Sequence, residues 1–206
     1  MREETHERLK EIKRSFRSMM NGPVSQSMRD KGTAYKINWG VAFPALKRMA
    51  DTYGKDYELA IELWKEDIRE CKILATLIMP PAEMLPEIVD IWMEQTPTQE
   101  MVEMAALNLY QYLDFAPVLA YRWMASDKVF EQIAAYQILG RLFMRKMEPN
   151  ERGINEFLDQ AVVALQSEHM GVRHAAYNCI IRFADMGEMY ETIARKAVKS
   201  AGLADI

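Results

Sequence analysis

Apolar residues recur along most of this chain at spacings of three and four, the period of an α-helix buried on one face. Residues 5 to 20 give the first case: Leu9, Ile12, Phe16, Met19 and Met20 share one side, while Arg8, Lys10, Lys13, Arg14 and Arg17 surround the other. That basic face is one candidate binding surface. From Asn21 to Trp39 the pattern lapses, and Gly22, Pro23, Ser25, Ser27, Gly32 and Asn38 predict a loop over one end of the fold. From Val41 onward helical periodicity resumes, with no strand-like alternation. Pro44, Pro86 and Pro117 each open an apolar run, in the helical first turn where a missing N–H is harmless. Pro80 and Pro81, Thr96 with Pro97, Ser126 with Asp127, and Pro149 with Asn150 supply stops and caps. The helices so delimited are roughly 10 to 18 residues long with brief turns between them, which predicts helical hairpins.

Four of these helices share a frame. Cys71-Lys72-Ile73-Leu74-Ala75-Thr76-Leu77-Ile78, Val102-Glu103-Met104-Ala105-Ala106-Leu107-Asn108-Leu109, Glu131-Gln132-Ile133-Ala134-Ala135-Tyr136-Gln137-Ile138 and Val172-Arg173-His174-Ala175-Ala176-Tyr177-Asn178-Cys179 put small residues at one recurrent place. Small residues there let a neighbouring helix approach closely, and flanking large residues fill its grooves. Trp64, Trp92 and Trp123 each fall near the end of the preceding helix. The expectation is a degenerate solenoid of stacked helix pairs, since the Ala-Ala pairs are separated by an irregular 29 and then 41 residues. Its organisation is one domain over 1–206, with a first helix over 1–20, a loop over 21–39 and stacked pairs over 41–204.

Charge and composition refine this picture. The 30 acidic and 26 basic residues give a net charge of -4, where a protein that grips phosphates usually carries a basic excess. The distribution offsets the total: acids dominate from Glu58 to Glu103, whereas Arg141, Arg145, Lys146, Arg152, Arg173, Arg182, Arg195, Lys196 and Lys199 gather in the last third. Cys71 and Cys179 lie in apolar helix interiors, with no ligand spacing around them, and read as reduced core residues. His169, His174 and Cys179 are five residues apart, on different helix faces, so no metal site is expected. Most of the 16 methionines sit at core spacing, as gap fillers. No apolar run reaches the length of about 18 residues that a membrane span needs, and the N-terminus begins with charges, so the expected compartment is the cytoplasm. No nucleotide-cradling glycine loop or catalytic Ser/His/Asp set occurs, and no cofactor is expected.

The block Gly40-Val41-Ala42-Phe43-Pro44-Ala45-Leu46-Lys47-Arg48-Met49-Ala50, with Tyr53-Gly54-Lys55-Asp56, Leu59-Ala60, Leu63-Trp64 and Ile68-Arg69-Glu70, resembles the N-terminal half of the AlkD-type DNA alkylation-repair glycosylases. A looser likeness continues to about residue 200. The resemblance implies an all-α fold of HEAT-like helical repeats, stacked as a short curved solenoid (an α-α superhelix) whose concave groove holds double-stranded DNA. It also implies excision of cationic alkylated purines of the 3-methyladenine and 7-methylguanine class.

That chemistry dictates which residues are needed. An alkylated purine is already a good leaving group, so the enzyme must stabilise the cationic sugar that develops, which one carboxylate can do. Aromatic faces attract the cationic nucleotide, and an arginine holds the phosphate. In the matching stretch Gln99-Glu100-Met101-Val102-Glu103, Glu103 stands at the family's catalytic aspartate and Gln99 at an aromatic four residues earlier. The phosphate-gripping arginine falls on Ile133 or Gln132, and a second aromatic on Asn178 or Tyr177. A Glu for an Asp moves the charge by about an ångström, and such a displacement costs on the order of 100-fold in rate. The expected catalytic residue is therefore Glu103, and the expected DNA-binding residues are Gln99, Gln132, Arg145, Lys146, Arg173, Tyr177 and Asn178. Three readings follow: a nucleic-acid-binding relative with excision weak, altered or lost; a HEAT-like scaffold for a protein or peptide partner; and an enzyme using Glu103, with Trp92, Trp123 or Tyr136 supplying aromatic contact.

Overall fold

Helix-forming signals in the sequence become helices wherever an apolar stripe finds a neighbour. The structure, a computed structural model, describes residues 3–33 and 35–203. These fall into two compact units, Met1–Leu109 and Tyr110–Ile206.

In the first unit, α1 (Glu3–Ser18) starts on Glu3 and Glu4 and has Arg17 in its last turn, charges that suit the helix dipole, and it buries Leu9, Ile12 and Phe16. The segment expected to be a loop contains a helix, α2 (Gly22–Asp30). Its turn-forming residues are a helix start: the Asn21 side chain accepts the Val24 N–H at 3.1 Å, and Pro23 occupies the first turn, where it loses no hydrogen bond. After α2 the chain runs without a further helix to α3 (Phe43–Tyr53) among the described residues. Asp56 caps α4 (Tyr57–Lys65), accepting from the Leu59 N–H at 2.9 Å. Then α5 (Arg69–Ile78) runs through the middle of the unit, buried from Arg69 to Thr76 and packed against α3, α4 and α7. Beyond Pro80 and Pro81 come α6 (Pro86–Glu94) and α7 (Gln99–Asn108), the latter capped by Thr98, which accepts from the Met101 N–H at 3.2 Å. Trp64 of α4 and Trp92 of α6 stack with ring centres 4.2 Å apart and planes 3° from parallel. One helix pair is thus laid on the next, and Ala105 and Ala106 of α7 are fully buried, as the repeat frame requires.

The second unit comprises α8 (Ala116–Met124), α9 (Val129–Met144), α10 (Glu151–Ala164), α11 (Met170–Ala184) and α12 (Glu188–Ser200). Helix α9 packs on α8 and α11, and α11 on α10 and α12. The small residues Ala134, Ala135, Ala175 and Ala176 are buried where α9 and α11 meet, and a Cβ placed on Gly140 would lie 3.8 Å from the Cys179 Cα, in ordinary contact with α11. Phe143, Phe157 and Phe183 form a three-ring cluster with centres 5.1 to 5.3 Å apart, which Tyr190 of α12 extends. Cys71 and Cys179 are free, buried thiols, as expected. Among the described residues the β pairing is an isolated parallel bridge, Ile37 with Ile68, and no helix is long and apolar enough to cross a membrane.

Candidate functional site

The start of α7 carries the predicted carboxylate. Gln99 and Glu103 are one turn apart and half-buried, and the Gln99 amide donates to a Glu103 oxygen at 2.8 Å. Glu100, between them in sequence, is committed elsewhere. Arg69 clamps both its oxygens, Nη2 on Oε1 at 2.6 Å and Nε on Oε2 at 3.0 Å, and the Tyr35 hydroxyl also donates to Oε2, at 2.8 Å. The Thr98 hydroxyl donates in turn to Tyr35 at 2.8 Å. On its far side Arg69 reaches Glu70 at 3.3 Å and the Val41 carbonyl at 3.2 Å. Glu70 is fully buried and accepts the N–H groups of Trp39 and Val41 at 3.2 Å. Burial opposes the Arg69 cation, but the hydrogen bond and charge of Glu100, then the charge of Glu70, outweigh it and hold its pKa above the usual range. Burial first, and Glu100 second, push the Tyr35 hydroxyl far up, so it stays a donor. The network is closed on itself. On α7 the remaining carboxylate is Glu103.

No buried tryptophan serves that carboxylate. Lys72 stands 4.4 Å from the ring centre of Trp64 and donates to its carbonyl at 2.8 Å, so the Trp64–Trp92 stack already holds a cation of the protein itself. Trp92, Trp123 and Tyr136 are each 2% exposed. The reading in which these three offered a nucleotide their faces fails for that reason: they are core.

In the second unit the predicted residues separate into two groups. Three are spent on backbone carbonyls. Arg145 donates to Gln111 O at 2.7 Å and lies over the Tyr112 ring; Lys146 donates to Asp185 O at 2.7 Å; Arg173 donates to Glu168 O at 3.0 Å. Of these acceptors Asp185 is the C-cap of α11, where a cation suits the helix end. Gln132 is half-buried, its amide donating to Ser126 O, and Ile133 is fully buried. Tyr177 and Asn178, by contrast, are exposed on α11.

Asn178 opens onto a polar cleft of about 230 Å³ between α9 and α11, lined also by Gln137, Arg141 and Arg182. Arg182 keeps a loose contact with Asp185 at 3.6 Å on the exposed surface. The Cys179 thiol at the floor is pushed well up by burial and remains protonated. Of this lining, sequence reasoning named Asn178 as a site residue and counted Arg141 and Arg182 only among the basic residues of the last third, although a finer signal is present: Ala134-Ala135-Tyr136-Gln137 with Arg141 four residues on, and Ala175-Ala176-Tyr177-Asn178 with Arg182 four residues on. Two helices in one register thus present an amide and a guanidinium each, at a spacing that places both on one face. In α7 the same register holds Asn108, which donates to the Thr76 hydroxyl of α5 at 3.0 Å instead. Chemically the α9–α11 cleft is a donor-rich, cationic platform suited to phosphate oxygens. Among the described residues no cluster of His, Cys, Asp and Glu has the form of a metal site.

Comparison with known proteins bears on both units. The sequence profile of the DNA alkylation repair enzymes matches residues 12–200. A solved structure, described as belonging to a new family of proteins related to the HEAT-like repeat DNA glycosylases with affinity for branched DNA structures, is similar over 94% of this chain and 83% of that one, with a TM-score of 0.83 at 18% identity. The fold is therefore that of the HEAT-like repeats. No curated protein matches the chain.

Proposed function

The chain belongs to the DNA alkylation repair enzyme family, its residues 12–200 matching that family's profile, and on that premise we propose that it binds DNA while excision of alkylated purines is weak, altered or lost. The observation that carries the binding half is the α9–α11 cleft, where Gln137 and Asn178 stand beside Arg141 and Arg182. Phosphate contacts supply most of the sequence-independent affinity for DNA, and arginines are the side chains best shaped to make them. The net charge of -4 is no obstacle, because the relevant field is that of the local face.

The half that concerns excision rests on what surrounds Glu103. Its carboxylate is engaged by the Gln99 amide, at the place where the family supplies an aromatic, and the tryptophans of the same unit at positions 64 and 92 are sealed in the core. A carboxylate without an aromatic partner stabilises a developing sugar cation but does little to hold the cationic base. The structural neighbour is described as having affinity for branched DNA structures, and this reading includes branched DNA among the ligands of this chain.

Titration of labelled duplex and of a branched substrate, each with and without 7-methylguanine, at two salt concentrations tests the reading. Binding that weakens with salt is expected, and R141Q/R182Q should lower the slope of log affinity against log salt by about 1.8, two phosphate contacts' worth. Base release should be slow, and E103Q should abolish whatever release the wild type has. Salt-independent association, or none at micromolar protein, would sink the binding half; rapid release that survives in E103Q would sink the assignment of Glu103.

A further inference from the structure

Four tryptophans occur in the chain, and three of them, Trp64, Trp92 and Trp123, are packed in the core at 2% exposure. Trp39 differs. It is half-buried and lines a cleft of about 370 Å³ in the first unit, to which α1 contributes Lys13, Arg14 and Arg17 and the irregular segment contributes Lys36 and Ile37. The α4–α5 turn adds two carboxylates, Glu66 and Asp67, and the apolar Ile68, and Lys13 pairs with Glu66 at 2.7 Å. Arg14, Arg17 and Lys36 make no ion pair among the described residues. Cations therefore outnumber carboxylates in the cleft, and three of them are available to an anion.

The backbone beneath the indole is fixed from both sides. The Trp39 N–H donates to both oxygens of buried Glu70 at 3.2 Å, and its carbonyl accepts the Asn21 N–H at 2.9 Å. The next residue, Gly40, has φ 70°, and a Cβ there would lie 2.3 Å from the Asn21 carbonyl oxygen, so no other residue fits the turn. A half-buried indole on a fixed backbone, lining a cleft beside exposed arginines, has the two elements by which proteins bind unpaired strands: a cationic track for the backbone and a platform for a base.

We propose that this cleft takes one nucleotide of an unpaired nucleic-acid strand, its base against Trp39 and its flanking phosphates on Arg14, Arg17 and Lys36. The indole selects the source of the phosphate: a duplex keeps its bases stacked inside and offers the ring nothing, and an inorganic anion has no face to stack. The proposal takes only the class of polymer from the reading above and rests on a different set of residues.

Full-length protein is titrated with fluorescein-labelled oligothymidylate and, separately, with blunt duplex, following anisotropy and tryptophan emission. Oligothymidylate should bind and quench Trp39, since the other three indoles are buried. W39L should lose the quench and weaken oligothymidylate binding by about tenfold or more. R14Q/R17Q, at exposed positions of α1, should lower the salt slope for oligothymidylate by about 1.4 with little effect on duplex. Helical ellipticity of each variant is checked first, and R14Q/R17Q carries the test if W39L does not fold. Unchanged oligothymidylate affinity and slope in the variants, or equal losses for oligothymidylate and duplex, would overturn the proposal. Wild-type protein that binds duplex but not oligothymidylate would overturn it and leave the α9–α11 reading standing; the reverse result would do the opposite.

Discussion

The two units close their interiors with different materials. In the first, a charged chain running from Glu70 through Arg69 to Glu100 and Tyr35 lies inside the fold and pins the irregular segment before α3 onto α5 and α7. In the second, the corresponding work is done by phenyl rings, Phe143, Phe157 and Phe183, with no charge among them. Ring clusters are held by area and shape, which neighbouring apolar residues can approximate. A buried ion network has no such tolerance, because removing one member leaves the others desolvated and unmatched. The first unit is therefore expected to be brittle to conservative polar changes and the second forgiving of conservative apolar ones.

Near-isosteric substitutions break or sharpen that contrast. Glu70→Gln keeps the shape but turns an acceptor of three donors into an amide that faces Arg69, and should cost about 2–3 kcal/mol in urea unfolding. A cost below that of Phe183→Leu, which should stay under about 1.5 kcal/mol, would refute the contrast. Smaller still is Tyr121→Phe, which removes the hydrogen bond to Gly153 O at 2.8 Å and should cost about 1 kcal/mol at neutral pH. Its pH dependence has a defined sign. Burial, and then the nearby Glu156 charge, push the Tyr121 pKa up to about 12, above the ordinary value near 10. Stability from this group is complete below the unfolded value and falls as pH rises from about 10 toward 12, where the unfolded chain ionises before the folded one. In Tyr121→Phe that part of the alkaline decline should disappear.

Much of the fold was legible in the sequence because its signals are local. Pro44, Pro86 and Pro117 do open helices, and the Ala-Ala pairs do lie buried where helices meet. Helix α2 was illegible for an instructive reason: Asn21, Gly22 and Pro23 punctuate a chain equally well as a turn or as a capped helix start, and only the bond from the Val24 N–H to Asn21 decides. The candidate site divides along the same line. Gln99 and Glu103 are one helical turn apart, so their contact is a matter of spacing. The anchoring of Arg145 and Lys146 on carbonyls 34 and 39 residues away depends on tertiary placement, and no count of charges reveals it. Arg141 and Arg182 were readable as one register used twice, a signal that lies in comparing α9 with α11 and not in either helix alone.

The stacked indoles of Trp64 and Trp92 also decide what an optical experiment on this molecule will see. Three of the four tryptophans, at positions 39, 64 and 92, belong to the first unit, whereas the helices that generate far-ultraviolet ellipticity are spread over both. Emission during denaturation therefore reports chiefly on the first unit, and ellipticity on the whole chain. Superimposed curves would mean that the two melt as one cooperative body; an offset between them would measure the two stabilities separately, with no mutation and no label.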